Sequence, residues 1–402
     1  MTCLIQNVLK KYNKNIWVMY NNENSDRIFC KYFTKHLASN TICIISTQKV
    51  YIILSSLDKD NVEKLKYDPK KVQFFSYKSR DELDVILENI IADLNFSNKI
   101  CLNFSTMSDR NTDIMSHGDY VYLTKILKKP YKKKVKFESA EKMIYDLESR
   151  KTEKEINRLK LLADITNRIL EETFKKIQIG DNEIQIVNKT KRITDEIMKL
   201  YVGSNDIVSY DMAWENCPIV LTGINLAKGG HSLPSTKKLF RGDTIYFDFG
   251  IKATFSDEMV LYTDMQRMGY ALKKNEFSPP KQVMKVFNTL VNSISDGIDE
   301  MRPGVKAYKV DKVVRDEIIK AGYPEYNHAT GHPVGKEVHD IGAIISIKKS
   351  KLANLELIEN GVYTLEPRVN ISNGGSIEEM IQVTKYGGVP LTHLQDEIYL
   401  VK

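Results

Sequence analysis

Residues 241–250 read RGDTIYFDFG, an apolar strand pattern that ends in Asp248 and continues into a glycine that allows a turn. Residues 255–257, FSD, follow and present a second carboxylate, Asp257. Because a hairpin would bring these two segments side by side, the two carboxylates would face each other. The stretch therefore predicts an antiparallel sheet that carries paired acidic side chains.

A later block repeats this arrangement. Residues 361–367, GVYTLEP, and residues 376–384, SIEEMIQVT, are separated by a turn through 373–375, so that Glu366 and Glu378 fall on neighbouring strands. A single acidic residue at a strand end is usually solvated or caps a turn. Four carboxylates within apolar strands would cost many kcal/mol to bury unless cations or protons compensated them. This pattern predicts a bound pair of metal ions.

Histidines strengthen the metal hypothesis, since four of the seven lie in the second part of the chain near acidic residues: His231, His328, His332 and His339. Oxygen ligands combined with one imidazole suit manganese, cobalt, iron or zinc better than calcium.

The order of predicted elements suggests two domains. Short strand patterns alternate with helical patterns between residues 16 and 127, which predicts an α/β domain. After a boundary near residue 145, two helices followed by a block of strands occur twice, which predicts an internally duplicated α+β domain with a largely antiparallel sheet. The first set is helices 152–178 and 182–202 with strands in 207–265; the second is helices 280–301 and 308–321 with strands in 341–401.

Composition excludes several classes of protein. The 402 residues are 42% hydrophobic and 28% charged, which is typical of a globular chain, and no apolar stretch reaches the ~18 residues of a membrane span. Five cysteines without CxxC spacing, and a start without a secretory signal, predict reduced thiols in the cytoplasm. The basic run 128–136 is interpreted as a solvated segment rather than a nucleic-acid site.

These motifs resemble those of the pita-bread metallopeptidases, and the whole chain resembles the aminopeptidase P and prolidase branch, which cleaves Xaa-Pro bonds. The segments that carry the resemblance are 218–231, 242–250, 256–257, 327–340, 365–367 and 377–379. The resemblance implies a creatinase-N-like α/β domain over residues 1–145 and a pita-bread catalytic domain with internal pseudo-symmetry over 146–402. It further implies a peptide substrate with proline at the second position, and a homodimer that binds neither nucleic acid nor membrane.

The resemblance also assigns roles. Two divalent ions, manganese first with cobalt, zinc or iron as alternatives, would be held by Asp248, Asp257, His332, Glu366 and Glu378. Asp257 and Glu378 would bridge the ions, which would turn a bridging water into a hydroxide near neutral pH. Glu366 would shuttle the proton to the leaving amine. His231 and His339 would donate hydrogen bonds to the substrate carbonyl and the oxyanion. His328 would line the pocket for the proline ring or serve in packing.

Because the sequence departs from the family pattern at several positions, other interpretations of its function stay open. The two aspartates are usually eleven positions apart, whereas Asp248 and Asp257 are nine apart. A Thr-Arg-Thr run usually follows the second aspartate, and an arginine often stands where this chain has Ser376. The alternatives are a creatinase-like hydrolase that needs no metal and uses His231 as acid and base, and a non-catalytic interaction protein that retains the fold. A methionine aminopeptidase fits less well, because it would leave the N-terminal domain without a counterpart.

Overall fold

The computed structural model describes residues 2–37, 39–62, 65, 67–94, 98–129, 135–228 and 232–402. The chain divides into two compact units, Met1–Glu148 and Ser149–Lys402. Two features of the sequence analysis, His231 and residues 130–134 of the basic run, lie outside the described residues. Within the described part, no helix is both long and apolar enough to cross a membrane.

The first unit is a mixed α/β layer. Its six strands form one sheet in the order β4-β3-β2-β1-β5-β6. The neighbours β1–β2 and β2–β3 are antiparallel, and the other three pairs are parallel. The strands are β1 (Ile16–Asn21), β2 (Thr41–Ser46), β3 (Val50–Ser55), β4 (Val72–Tyr77), β5 (Lys99–Leu102) and β6 (Lys136–Ser139). The helices are α1 (Thr2–Lys11), α2 (Arg27–Tyr32), α3 (Lys59–Val62), α4 (Arg80–Asp93), α5 (His117–Lys128) and α6 (Glu141–Glu148).

The first two helices of the second unit begin where the sequence provides capping groups. Thr152 and Glu155 form a reciprocal capping box, and Asn182 and Gln185 form another. Such boxes satisfy backbone N–H groups that the first helical turn leaves without partners. The described α-helices of this unit are α7 (Glu153–Lys176), α8 (Glu183–Met198), α9 (Lys281–Glu300) and α10 (Ala307–Lys320).

In the described part of the second unit the strands form small sheets, in the orders β11-β10-β7, β18-β12-β9-β8, β13-β16-β17 and β14-β15. Two helices precede a strand block twice, as the sequence pattern predicted. The first block is β7 (Ile207–Met212), β8 (Ile219–Thr222), β9 (Thr244–Phe249), β10 (Ile251–Phe255), β11 (Val260–Tyr262) and β12 (Met265–Ala271). The second is β13 (Val362–Leu365), β14 (Arg368–Val369), β15 (Gly375–Ser376), β16 (Glu379–Thr384), β17 (Gly387–Pro390) and β18 (Tyr399–Val401).

Two glycines allow the close backbone approaches on which the centre of this unit depends. A Cβ atom at Gly250 would lie 2.0 Å from the carbonyl oxygen of Thr263, and one at Gly331 would lie 1.9 Å from that of Thr364. No side chain fits at such distances. Gly250 therefore permits the chain after β11 to run beside the end of β9, and Gly331 permits the chain before His332 to run beside β13.

Candidate metal centre

Asp248 lies near the end of β9, the strand between β8 and β12. Its cross-strand neighbours are Ile219 on β8 and Gln266 on β12. The side chain is 8% exposed, and its Oδ2 accepts a hydrogen bond of 3.2 Å from the hydroxyl of Tyr246. Because side chains on a strand alternate, Tyr246 and Asp248 share one face. The strand thus presents a buried carboxylate together with the tyrosine that orients it.

Asp264 lies immediately before β12 and is 6% exposed. It stands two positions before Gln266, the direct partner of Asp248, so strand alternation places it on the same side as these residues. Its Oδ2 lies 3.6 Å from Nε2 of His332. The two aspartates of the site are therefore Asp248 and Asp264.

His332 presents one ring nitrogen to the carboxylates. Its Nδ1 lies 3.1 Å from the carbonyl oxygen of Pro333, an arrangement in which Nδ1–H donates and Nε2 keeps its lone pair. Nε2 lies 3.8 Å from Oε1 of Glu378 and 3.9 Å from Oε1 of Glu366. Burial, assisted by the neighbouring His339, lowers the pKa of His332 to about 3. The imidazole is accordingly neutral, which is the form that binds metals.

The two glutamates come from facing strands. The register of β13 with β16 pairs Leu365 with Glu379, so Glu366 and Glu378 follow as the next pair outward. Glu378 also forms an isolated β-bridge with Gln266, which connects this pair of strands to β12. The side chain of Gln266 donates from Nε2 to Oε2 of Glu366 at 3.1 Å. Both halves of the duplicated unit therefore contribute to one cluster.

Repulsion and burial raise the pKa of three of these carboxyl groups. Burial raises the pKa of Glu366 to about 8, with the charge of Asp248 as the next cause. Burial also raises the pKa of Asp264 and that of Glu378 well above their ordinary values, and the adjacent Asp248 and Asp264, respectively, raise them further. In a site of low dielectric, like charges this close require protons or cations.

The donor set fits metal ions. Asp264, His332 and Glu378 each offer one ligand atom, and these atoms lie within 4.8 Å of one another. Within the described part of the chain, Oδ1 of Asp264 and both carboxylate oxygens of Glu378 are buried without a hydrogen bond of ordinary geometry. Buried carboxylate oxygens seldom lack partners in native proteins. Divalent cations would supply both the missing partners and the compensating charge.

Asp257 is not part of this cluster, so its predicted place in the site is wrong. It lies in the turn between β10 and β11, where its side chain is 39% exposed. Its oxygens accept hydrogen bonds from Lys154 at 2.7 Å and from Arg158 at 2.8 Å. These cations hold the pKa of Asp257 well below its ordinary value. The alternation argument failed because it requires a residue on a strand, and Asp257 is on the turn.

The sequence analysis found no arginine after the second aspartate because it took Asp257, and not Asp264, as that aspartate. Arg267 follows Asp264 by three positions and is fully buried. It donates from Nη1 to the backbone oxygen of Glu378 at 2.9 Å and from Nη2 to Oε2 of Glu379 at 3.1 Å. It therefore ties β12 to the strand that carries Glu378. The signal for Asp264 was available, because it lies in the apolar run VLYTDM, whereas Asp257 lies between a serine and a glutamate.

Of the three remaining predicted residues, His339 and His328 belong to the described part of the chain. His339 is exposed, and its ring lies 4.4 Å from that of His332, centroid to centroid. His328 is half-buried, with its Nδ1 2.7 Å from the carbonyl oxygen of Ala329. His231 lies outside the described residues, so its predicted role stays a prediction.

A cavity of about 400 Å³ opens beside the cluster, lined by Asp248 and Glu366 together with polar and aromatic residues. This volume is within the range of small-molecule sites. Among the lining residues that the sequence analysis did not single out are Gln266, which donates a hydrogen bond to Glu366, and Arg368, which is 4% exposed. Other lining residues are Tyr246, Tyr326, Asn327, His328 and Ser376.

Comparisons with known proteins found a matching family model and several relatives. Residues 157–385, more than half of the chain, match the family model described as metallopeptidase family M24. An uncharacterized peptidase of Staphylococcus haemolyticus is 29% identical over 254 residues, 62% of this chain. The chain spans 64% of the length of that relative. A Xaa-Pro dipeptidase of Pyrococcus horikoshii is 25% identical over 292 residues, which are 72% of this chain and 75% of that protein.

A solved structure extends the similarity to both units. The crystal structure of an X-Pro aminopeptidase from Thermotoga maritima matches 98% of this chain and 100% of its own chain, with a TM-score of 0.65 and 24% identity. The predicted fold class, an α/β N-terminal domain followed by an α+β pita-bread domain, is thereby confirmed.

Proposed function

The chain belongs to metallopeptidase family M24, and from that premise we propose that it hydrolyses Xaa-Pro peptide bonds at a centre of two divalent metal ions. The observation that carries the proposal is the buried cluster of Asp248, Asp264, His332, Glu366 and Glu378, in which three carboxylate oxygens find no ordinary hydrogen-bond donor among the described residues. These five residues would hold the ions. We propose manganese as the physiological metal, with cobalt, zinc or iron as alternatives.

The chemistry that the ions supply when bound is Lewis-acid activation of a water and of the scissile carbonyl. The protein's own groups would move the protons. Glu366 is suited to this task, because burial raises the pKa of its carboxyl group from 4.5 to about 8 in the metal-free chain, so its carboxylate is a stronger base than that of an exposed glutamate. Gln266 holds Oε2 of Glu366 at 3.1 Å and so fixes the orientation of the carboxyl group. We propose that Glu366 takes a proton from the attacking water and delivers it to the leaving amine.

Hydrogen-bond donors near the cluster would stabilise the charge that develops on the substrate oxygen. We propose His339 for this role, because its exposed ring lies 4.4 Å from that of the buried His332. It borders the metal centre without being part of the buried group, which is the position expected of a residue that contacts substrate. His231 is proposed as a second donor on the basis of the sequence resemblance alone.

Arg368 supplies a buried positive charge in the cavity. Its Nη2 donates to the backbone oxygen of Leu226 at 2.8 Å, and its guanidinium carbon lies 4.8 Å from the ring centre of Tyr246. Among the described residues no partner accepts a hydrogen bond from its Nε, which is buried. A carboxylate is the natural partner of such a group. We propose that Arg368 faces the free carboxylate of a short peptide, which favours dipeptides as substrates.

The set of candidate ligands favours this proposal over the metal-independent hydrolase and over the non-catalytic interaction protein. A hydrolase that needs no metal would not require four carboxylates around one neutral imidazole, and their burial would then be a cost without compensation. The same applies to a protein that only retains the fold for interaction.

Activity after metal reconstitution tests the proposal. Protein freed of metal by chelation would be reloaded separately with Mn²⁺, Co²⁺, Zn²⁺ or Fe²⁺ and assayed with Gly-Pro, Xaa-Pro-Xaa and Met-Xaa peptides. We expect hydrolysis of the proline peptides with at least one metal and none in the chelated protein. Binding of metal without cleavage of any peptide would support the interaction protein, and cleavage by chelated protein would support the metal-independent hydrolase.

A further inference from the structure

We propose that the buried ion pair between Asp311 and Arg315 positions the cavity wall formed by residues 326–328, and thereby sets the preference for proline at the second position of the substrate. This inference rests on the proposed function. Neither Asp311 nor Arg315 is among the described residues that line the cavity or offer ligand atoms in the metal cluster, so their role would be exerted through the wall.

The ion pair lies on α10, one helical turn apart. Asp311 is 2% exposed and Arg315 is 6% exposed, and Nε of the arginine lies 3.0 Å from both carboxylate oxygens. Residues at this spacing are neighbours on one helix face. Burial of such a pair is not by itself favourable, because desolvation offsets most of the attraction. The hydrogen bonds that this ion pair makes to other residues are therefore the evidence for its role.

Arg315 uses its other two nitrogens to hold the backbone of the wall. Nη1 donates to the carbonyl oxygen of Tyr326 at 2.5 Å, and Nη2 donates to that of His328 at 2.6 Å. The segment between these residues is neither helix nor strand. The backbone of this segment is therefore held by hydrogen bonds from a side chain, whereas a strand would be held by backbone hydrogen bonds to a neighbouring strand.

Aromatic and hydroxyl contacts fix the side chains of the same segment. The guanidinium carbon of Arg315 lies 4.2 Å from the ring centre of Tyr326, whose ring centroid is 4.7 Å from that of His328. The hydroxyl of Thr330 donates to Oδ1 of Asp311 at 2.6 Å and lies 2.6 Å from the hydroxyl of Tyr326. The ion pair therefore determines both the backbone path and the ring positions of the wall.

The nearby metal ligand has separate anchors. His332 follows the wall, but its backbone oxygen accepts a hydrogen bond of 2.8 Å from Thr364, and Pro333 bridges to Tyr363 on β13. Loosening the wall should consequently change how the cavity holds a substrate without removing His332 from the cluster. A general loss of stability would lower metal binding as well as substrate binding, so the two explanations can be distinguished.

The test uses Arg315→Lys in the metal-loaded, full-length protein. Lysine keeps the charge beside Asp311, but a single ammonium on a flexible chain cannot replace the guanidinium's planar set of donors. We expect the ratio of kcat/KM for Gly-Pro to that for Gly-Ala to fall about tenfold, mainly through KM for Gly-Pro, with the metal content unchanged. Lys312→Ala is the matched control, since Lys312 and Asp316 form an exposed pair at the same spacing on α10.

Thr330→Val is the second variant, for the case that Arg315→Lys does not fold. It removes the hydroxyl that joins Asp311 to Tyr326 at nearly constant volume, and the ratio should shift in the same direction. An unchanged ratio in folded, metal-loaded variants would overturn the proposal, as would an equal loss toward both peptides. If the wild-type protein shows no preference for Gly-Pro over Gly-Ala, the proposed function itself fails and this inference fails with it.

Discussion

Oδ2 of Asp264 lies 3.6 Å from Nε2 of His332, while Asp257, seven positions earlier, is bound by Lys154 and Arg158 outside the cluster. The two aspartates are thus a natural pair for comparison, one inside the candidate centre and one outside it.

Asp264→Asn and Asp257→Asn should differ in metal content. The first change removes a charged ligand from a buried site, so we expect bound metal per chain after dialysis to fall to about one-tenth or less of the wild-type value. The second change removes the partner of Lys154 and of the largely buried Arg158 in a turn outside the cluster, and should leave metal content near wild type. Elemental analysis of both variants is the measurement. Equal occupancy in the two proteins would refute the placement of Asp264 in the centre.

Metal binding should release protons and should strengthen as pH rises. In the metal-free chain the pKa of Glu366 is raised to about 8, from an ordinary value of 4.5, so the group retains its proton at pH 7. A metal must displace that proton. Calorimetric titration at pH 7 in two buffers with different ionisation enthalpies should detect the release, and the apparent affinity should increase between pH 6 and about pH 8.

The same pKa shift fixes how the stability of the metal-free protein depends on pH. Between pH 4.5 and about pH 8 the folded chain holds a proton on Glu366 that the unfolded chain has lost. The contribution of this group to stability is therefore fully present below pH 4.5 and is lost as pH rises through about 8. We expect the rise in Tm on adding metal to be larger at pH 8 than at pH 5. A rise that is constant across this range would contradict the assignment.

Part of the candidate cluster could be predicted from sequence because three of its carboxylates lie at or beside strand ends. Asp248 is on β9, Glu366 directly follows β13 and Glu378 directly precedes β16. His332 was predicted from the resemblance of residues 327–340 to a family motif. For the three carboxylates, local sequence determines which face of the sheet the side chain occupies.

The apolar run around Asp264 marks it as a candidate, but strand alternation alone could not identify it as the second aspartate. Its position depends on where the chain turns between β10 and β12, and the intervening β11 makes that connection longer than a simple hairpin. The close approach of Gly250 to Thr263 brings Asp264 back beside Asp248, and such a contact between distant backbone atoms has no local signature. Arg368 was missed for a related reason, since its role depends on the cavity it lines.

Arg368→Met should affect substrates that carry a free carboxylate more than those that do not. Methionine keeps an apolar stem of similar length against Tyr246 but removes the guanidinium. We expect kcat/KM for Gly-Pro to fall about ten- to a hundredfold, because a charge-assisted hydrogen bond in a buried cavity is lost, while that for the amide Gly-Pro-NH2 changes little. Equal losses for the two peptides would indicate that Arg368 supports the fold of the site and does not bind the substrate.

His339→Ala should separate transition-state stabilisation from metal binding. The ring of His339 is exposed and lies 4.4 Å from that of His332, whereas the cluster's potential ligand atoms belong to buried side chains. If His339 donates a hydrogen bond only as the oxyanion develops, its loss should lower kcat by about two to three orders of magnitude and leave bound metal near the wild-type value. A residue that merely supports the fold would lower Tm and leave the kcat of the folded fraction intact. Measuring kcat, bound metal and Tm on the same preparation distinguishes these outcomes. Full activity together with full metal occupancy in this variant would mean that the oxyanion donor is another group of the cavity.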